Sequence, residues 1–109
     1  MARKAQVYMK ENLAGFLEEV ATGYAFAYTN TYLQNQSAQA VSSTLPLQNK
    51  IFESNVLFPF FDGLIPEGWL LDIAEKNWKL NEKDRMGLLL TFCKNCIGAV
   101  SIIAINEKI

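Results

Sequence analysis

The chain has 109 residues, of which 50% are hydrophobic and 19% charged, with a formal net charge of −1 and no histidine. This length fits a single domain over residues 1–109, and the apolar fraction is too high for a disordered chain. Without histidine, the chain lacks the commonest general base and the imidazole ligand of metal sites. The near-neutral charge supplies no positive surface for a nucleic-acid backbone. These properties disfavour a multidomain enzyme and an autonomous nucleic-acid-binding protein.

The cellular location follows from what the sequence lacks. Its N-terminal residues contain no apolar core of the roughly 7–15 residues that a signal peptide needs. The longest apolar-leaning run, residues 97–105, is far shorter than the ~20 residues of a membrane-spanning helix. Cys93 and Cys96 are too few for a disulfide-stapled secreted scaffold. The sequence therefore predicts a cytoplasmic protein that makes no membrane contact.

The first third of the chain predicts three strands joined by tight turns. Residues 5–10 alternate between apolar and polar side chains, and residues 13–19 supply a second strand. Gly23 is free to take a positive φ in the turn that follows. The third strand has aromatic side chains on one face, namely Tyr24, Phe26 and Tyr28. Such a face is typical of a sheet that is covered by other bulky groups.

The rest of the chain predicts helices and one further strand. Residues 29–50 are polar without a sustained period, so we expect a long surface connection there. One helix is expected to start near Pro59, a second to cover residues 66–78, and a third to be capped by Asn81. The apolar run of residues 99–106 predicts a last strand inside the sheet, buried on both faces. Together these elements predict an α+β domain, in which a small antiparallel sheet carries helices on one face.

Two groups of residues resemble chemical sites, but simpler structural roles fit them better. Cys93 and Cys96 form a C-x-x-C pair that follows a predicted helix instead of opening one, and no other His or Cys could complete a zinc site. A redox or metal role for them is the weaker alternative. Glu67 and Asp72 lie close to Asp62 in the sequence, but their spacing sends them to different helix faces. We therefore expect no catalytic residue, no cofactor and no metal.

A run of alternating charges and a short stretch rich in aromatic residues stand out in the second half of the chain. The alternating charges, Asp84 and Arg85 among them, predict a solvated face. The aromatic residues lie beside two prolines and are Phe58, Phe60, Phe61, Trp69 and Trp78. We expect the phenylalanines to pack against the sheet. Trp69 lies about 100° from Leu70, off the middle of the predicted apolar stripe, so it is a candidate anchor for a protein partner, with core packing as an equal alternative.

Three motifs occur in one order along the chain: Ser43-Thr44-Leu45-Pro46-Leu47, Phe60-Phe61-Asp62-Gly63-Leu64-Ile65-Pro66-Glu67 and Ile97-Gly98-Ala99-Val100. In this order and spacing they resemble the N-terminal subdomain of HipA-type serine/threonine kinases, the toxins of bacterial HipBA toxin–antitoxin systems. The resemblance covers nearly the whole chain. One departure precedes Gly98, where the family typically has Gly-(Arg/Lys)-Asp and this chain has Cys93-Lys94-Asn95.

The kinase residues of that family lie beyond this subdomain, and a free-standing subdomain resembles HipS, the small protein of split HipBST systems. There the kinase HipT is a separate toxin, and the DNA-binding protein HipB completes the set. The resemblance implies a non-catalytic antitoxin that inhibits a HipA-like or HipT kinase, whose family targets are aminoacyl-tRNA synthetases. Contact with DNA would be made only through a HipB-like protein. The alternatives are a regulatory or scaffolding subdomain that stabilises the kinase complex without inhibiting it, and a fragment of a full-length kinase.

Within this resemblance, we expect one turn to be presented to the cleft of the kinase. It consists of Pro66, Glu67, Gly68 and Trp69. Trp69 would be the anchor, and Glu67 a nearby polar contact. A buried tryptophan in such a position contributes about 2–4 kcal/mol of binding free energy.

Overall fold

The computed structural model describes residues 3–65, 84–92 and 99–105. In chain order, these residues form β1 (Lys4–Met9), β2 (Asn12–Val20), β3 (Gly23–Tyr28), α1 (Asn30–Leu33), β4 (Phe52–Ser54), α2 (Pro59–Asp62), α3 (Arg85–Phe92) and β5 (Val100–Ala104). The strands pair antiparallel in one sheet of order β4-β3-β2-β1-β5. This architecture confirms the predicted α+β domain with a small antiparallel sheet.

The predicted N-terminal meander is present, and its turns use the expected residues. Gly23 has a φ of 146°, and a Cβ added there would lie 2.2 Å from the carbonyl oxygen of Ser54. A bulge in β2 leaves Ala14 without a cross-strand partner, since the register shifts between Val7 and Tyr8. The carbonyl of Ala14 instead accepts the N–H of Thr29 at 2.9 Å. The bulge therefore connects the sheet to the segment that follows β3.

The hydrophobic core lies between one face of the sheet and the helices. Its largest fully buried side chains come from the strands and from α2 and α3: Phe26, Phe61, Leu17, Met86, Leu88, Leu89, Ile102 and Val7. The aromatic face of β3 is central to it, because the Phe26 ring centroid lies 4.9 Å from that of Tyr28 and 5.4 Å from that of Phe61. Burying each large apolar side chain contributes about 1.5–3 kcal/mol. This confirms that bulky groups cover the aromatic face.

The last strand lies at the edge of the sheet beside β1, so the predicted interior position is wrong. Val100 and Ile102 point into the core, whereas Ile103 is 41% exposed. The apolar run therefore has one buried side and one side on the outer face of the sheet. Antiparallel sheets commonly leave one face open to water, so an apolar run does not require burial on both sides.

Residues 29–50 do not form the plain surface connection that their composition predicts. Thr29 caps α1, because its Oγ1 accepts the N–H of Tyr32 at 3.1 Å. Tyr32, Val41 and Leu45 are buried in the core. The segment then leads into β4, a strand of three residues that the sequence pattern did not predict. Widely spaced apolar residues within a polar segment have no detectable period, which explains the error.

The helix at Pro59 is confirmed, with this proline in its first turn. The third helix begins at Arg85, and its cap is Asp84, whose Oδ1 accepts the N–H of Gly87 at 3.0 Å. Asn81 and the helix expected at residues 66–78 lie outside the described residues.

Candidate partner-binding site

The residues that the sequence singled out for binding or chemistry fall mostly in parts that the structure does not describe. Those outside the described residues are Pro66, Glu67, Gly68, Trp69, Asp72, Trp78, Cys93 and Cys96. Their predicted roles, including that of Trp69 as an anchor, stay predictions. The structure describes both flanks of residues 66–83, which shows how the candidate binding segment is attached to the domain.

The N-terminal flank is attached through buried aromatic and aliphatic side chains. Phe58, Phe61 and Ile65 are 7%, 0% and 8% exposed, and Phe60 packs against the core with partial burial. The rings of Phe60 and Phe61 meet edge to face, with their centroids 5.1 Å apart. This confirms that the phenylalanines pack against the sheet. The backbone is therefore anchored in the core up to the residue before Pro66.

The two flanks are joined by an ion pair between α2 and α3. Arg85 donates from Nε to Oδ1 of Asp62 at 2.6 Å. The two side chains are 36% and 41% exposed, so this pair adds little to the stability of the fold. Its effect is geometric, because it holds the end of α2 beside the start of α3. The candidate segment thus leaves and rejoins the domain at neighbouring points.

A second cluster of charges attaches the start of α3 to the sheet. Arg3 lies between two carboxylates and contacts each with two nitrogens: Nε and Nη2 reach Glu19 at 2.6 and 3.0 Å, and Nη1 and Nη2 reach Asp84 at 2.8 and 2.6 Å. The hydrogen bonds to Arg3 lower the pKa of both carboxyl groups and raise that of the guanidinium. Asp84 and Arg85 of the predicted solvated face are partly exposed and are paired across elements.

Gly87 makes room for this cluster. A Cβ at this position would lie 2.4 Å from Oδ2 of Asp84 and 3.1 Å from Nη1 of Arg3. A side chain here would push apart the carboxylate and the guanidinium. The sequence offered no signal for the pairing, because Arg3 and Asp84 are 81 positions apart.

Two tyrosines hold the segment that follows α1. The hydroxyl of Tyr28 donates to the carbonyl of Leu45 and accepts the N–H of Val41 at 3.0 Å. The hydroxyl of Tyr32 donates to the carbonyl of Gln39 at 2.7 Å and accepts the N–H of the same residue at 3.1 Å. Burial raises the pKa of Tyr28, which favours the neutral phenol that can donate. Backbone groups from residues 39–45 are therefore satisfied by core side chains.

Each of the three sequence motifs supplies a side chain to the core. Leu45, Phe61 and Val100 are 3%, 0% and 7% exposed, and all three belong to one hydrophobic cluster. The motifs thus encode packing. They are therefore evidence for the fold and not for a binding role.

An open cleft of about 310 Å³ is lined by Asn12, Leu13, Thr29, Thr31, Tyr32 and Asn35. Two of its polar side chains already serve the fold, since Thr29 caps α1 and Oδ1 of Asn35 accepts the N–H of Ser37 at 2.9 Å. Within the described ranges, no group of His, Cys, Asp and Glu is arranged to hold a metal ion. No helix in this part of the chain is long and apolar enough to cross a membrane.

Comparison with known proteins identifies a family, a relative and a solved structure to which this chain is similar. The family model of the HipA N-terminal domain matches residues 5–103. An uncharacterised protein of Haemophilus influenzae is 31% identical over 102 residues, which cover 94% of this chain and 92% of that protein. A solved structure of the N-terminal domain of HipA toxin superposes with a TM-score of 0.74 at 27% identity. The superposition covers 97% of this chain and 95% of that one.

The family match extends over nearly the whole chain and includes all three motifs in full. The superposition shows that the five-stranded sheet is the fold of that domain, and the kinase catalytic part of the family is not matched. The chain belongs to the HipA N-terminal domain family.

Proposed function

We propose that this domain is a non-catalytic antitoxin that binds and inhibits a HipA-like or HipT serine/threonine kinase. The observation that carries the proposal is the extent of the match, which covers the HipA N-terminal domain and not the catalytic part. The relative from Haemophilus influenzae has a similar length, since the alignment covers 92% of it. A domain related to one part of a kinase is well suited to bind the other part as a separate chain.

The way residues 66–83 are attached supports this role. Buried residues hold the chain up to Ile65. The ion pair between Asp62 and Arg85, with Nε and Oδ1 2.6 Å apart, ties the opposite flank to α2. A binding segment whose ends are fixed loses less conformational entropy on association than a free one. The predicted anchor Trp69 belongs to this segment. We therefore propose that residues 66–69 contact and inhibit the kinase, with Glu67 as a polar contact.

Co-expression with a HipA-like or HipT kinase from the same genome tests the proposal. We expect the wild-type domain to restore growth, to co-purify with the kinase and to reduce its autophosphorylation. Co-purification without restored growth would favour the scaffolding alternative, in which the domain stabilises the kinase complex with its HipB-like protein. Failure to bind the kinase would contradict both versions.

Trp69→Ala tests the anchor. We expect it to weaken kinase binding by about 30- to 1,000-fold, the equivalent of about 2–4 kcal/mol, and to abolish rescue. Trp69→Phe is the matched control, since it keeps an aromatic ring and should retain part of the affinity. Thermal unfolding of each variant separates a lost contact from a lost fold. Normal inhibition by folded Trp69→Ala would contradict the assignment of the anchor.

A further inference from the structure

The face of the sheet opposite the core carries a row of mostly apolar side chains across β5, β1, β2 and β3, which Gln6 interrupts and which Ile51 extends just before β4. Ile103 pairs with Gln6, Gln6 with Phe16, and Phe16 with Ala27, so these four side chains lie side by side on one face. Ile51 directly precedes Phe52, which stacks on Phe26 in the core, so strand alternation turns Ile51 to the same outer face. We call these five residues the outer row. It spans about 19 Å, because adjacent strands lie about 4.8 Å apart.

The outer row is accessible to solvent. Ile51 and Ile103, at its two ends, are 61% and 41% exposed, and the three residues between them are half-buried. Single exposed apolar side chains are normal, whereas Phe16, Ala27, Ile51 and Ile103 share one face, and such a grouping marks an interaction surface. The described helices contribute to the core on the other face. Among the described residues, helices cover the inner face of the sheet and none covers the outer face.

A row of charges lies beside the outer row. Lys4 pairs with Glu18, Glu18 with Ala25, and Ala25 with Glu53. The ammonium of Lys4 lies 4.7 Å from the ring centroid of Phe16, so this cation is directed at the outer row. Within the described part of the chain, Glu18 and Glu53 have no ion pair. Three other carboxylates of the described residues do have one, namely Glu19, Asp62 and Asp84.

These charges determine which kind of partner fits the surface. The carboxylates of Glu18 and Glu53, which form no ion pair among the described residues, lie beside the outer row. They match a protein surface that has apolar side chains bordered by Lys or Arg. They would repel the phosphates of a nucleic acid or of anionic lipid headgroups. A second copy of this face would bring two more carboxylates and only Lys4, which already contacts Phe16. Charge complementarity therefore favours a basic protein partner over these occupants.

We propose that the outer row and its two carboxylates form a second docking surface, which binds a basic, apolar patch on the kinase. The identity of the partner rests on the proposed function above. This surface is separate from the attachment of residues 66–83, because Ile65 and α2 lie against the inner face. The outer row supplies affinity, and the segment that contains Trp69 supplies inhibition.

Ile51→Asp tests the apolar part of the surface, with Val56→Asp as its matched control. Both side chains are about equally exposed, at 61% and 60%, but Val56 lies outside the outer row. We expect Ile51→Asp to weaken kinase binding about tenfold or more and Val56→Asp to change it less than about twofold. At saturating concentration, Ile51→Asp should still inhibit fully, whereas Trp69→Ala should not. Thermal unfolding confirms that both aspartate variants fold.

The double variant Glu18→Gln and Glu53→Gln tests the charged part. Wild-type affinity for the kinase should fall as the salt concentration rises. The double variant should show a weaker salt dependence, because the Lys or Arg side chains of the kinase no longer face a carboxylate. Unchanged affinity in Ile51→Asp together with unchanged salt dependence would overturn the docking surface and leave the proposed function intact. No binding by the wild type would overturn both. Self-association that Ile51→Asp abolishes would assign the surface to a second copy and overturn the kinase assignment.

Discussion

The two long connections of this domain are held to the same sheet by different physical means. Residues 39–45 are held by buried phenol groups of Tyr28 and Tyr32, which bond to backbone groups. The flanks of residues 66–83 are held partly by ion pairs in which each side chain keeps between 24% and 41% of its exposure. Buried neutral hydrogen bonds respond little to salt or acid, whereas exposed ion pairs respond to both. We infer that the first connection is a constitutive part of the core and that the second is the more easily perturbed.

Leu45→Ala should have the largest effect, because it removes a buried side chain that is 3% exposed. We expect a loss of about 2–4 kcal/mol in the free energy of unfolding, since the transfer and cavity contributions add. Urea denaturation followed by circular dichroism measures it. Leu47→Ala is a suitable control, because Leu47 belongs to the same motif but is 39% exposed. Equal losses in the two variants would contradict the role of Leu45 as an anchor.

Tyr28→Phe should destabilise the domain by about 1–3 kcal/mol, because it keeps the ring but leaves a buried carbonyl and N–H without their partner. The loss should be the same at low and high salt. Tyr8→Phe is the control, since the hydroxyl of Tyr8 makes no hydrogen bond among the described residues and should be nearly neutral on replacement. A loss for Tyr28→Phe that shrinks in high salt would remove the contrast between the two connections.

Arg3→Met should cost about 1 kcal/mol at low salt and less at high salt, because its two ion pairs are partly exposed. Gly87→Ala should have a similar effect through the same cluster, since the added Cβ would lie 2.4 Å from Oδ2 of Asp84. If the two effects have one cause, the double variant should lose less than the sum of the single losses. If the two stability losses add in full, the effect of Gly87→Ala does not arise from the cluster around Arg3.

Acid should weaken the cluster around Arg3. The pKa values of Glu19 and Asp84 are lowered by their hydrogen bonds to Arg3, so the unfolded chain binds more protons than the folded one as the pH falls towards 4. Their contribution is therefore fully present above the ordinary carboxyl pKa and is lost as the pH falls through the lowered values. Arg3→Met should flatten this part of the pH–stability profile, whereas Tyr28→Phe should shift the profile down without changing its slope.

Asp62→Asn should have the smallest effect, because the pair with Arg85 is about two-fifths exposed. We expect less than about 0.5 kcal/mol of stability to be lost. The same variant should also be tested for inhibition of the kinase. If the pair positions residues 66–83, inhibition should weaken more than stability does. An unchanged inhibition constant would show that the buried flank at Ile65 suffices.

Sequence patterns were most accurate where the cause of structure is local. Alternation identified the first three strands, and the turn chemistry of Gly23 and Pro59 identified where neighbouring elements begin. They were least accurate for β4 and α1, because elements of three and four residues carry too little periodicity to detect. The edge position of β5 was missed for a different reason. Pairing order depends on distant strands, and an apolar run does not report it.

The sequence by itself determined the family, the packing of the phenylalanines near Pro59 and the absence of histidine chemistry, because these depend on residue identity and local order. Only the tertiary structure decided which distant groups meet. Arg3 joins Glu19 and Asp84 across 16 and 81 positions, and the outer row takes its residues from different strands. Such contacts arise from strand order and the packing of the helices on one face, which bring together residues that have no neighbouring signal in the chain.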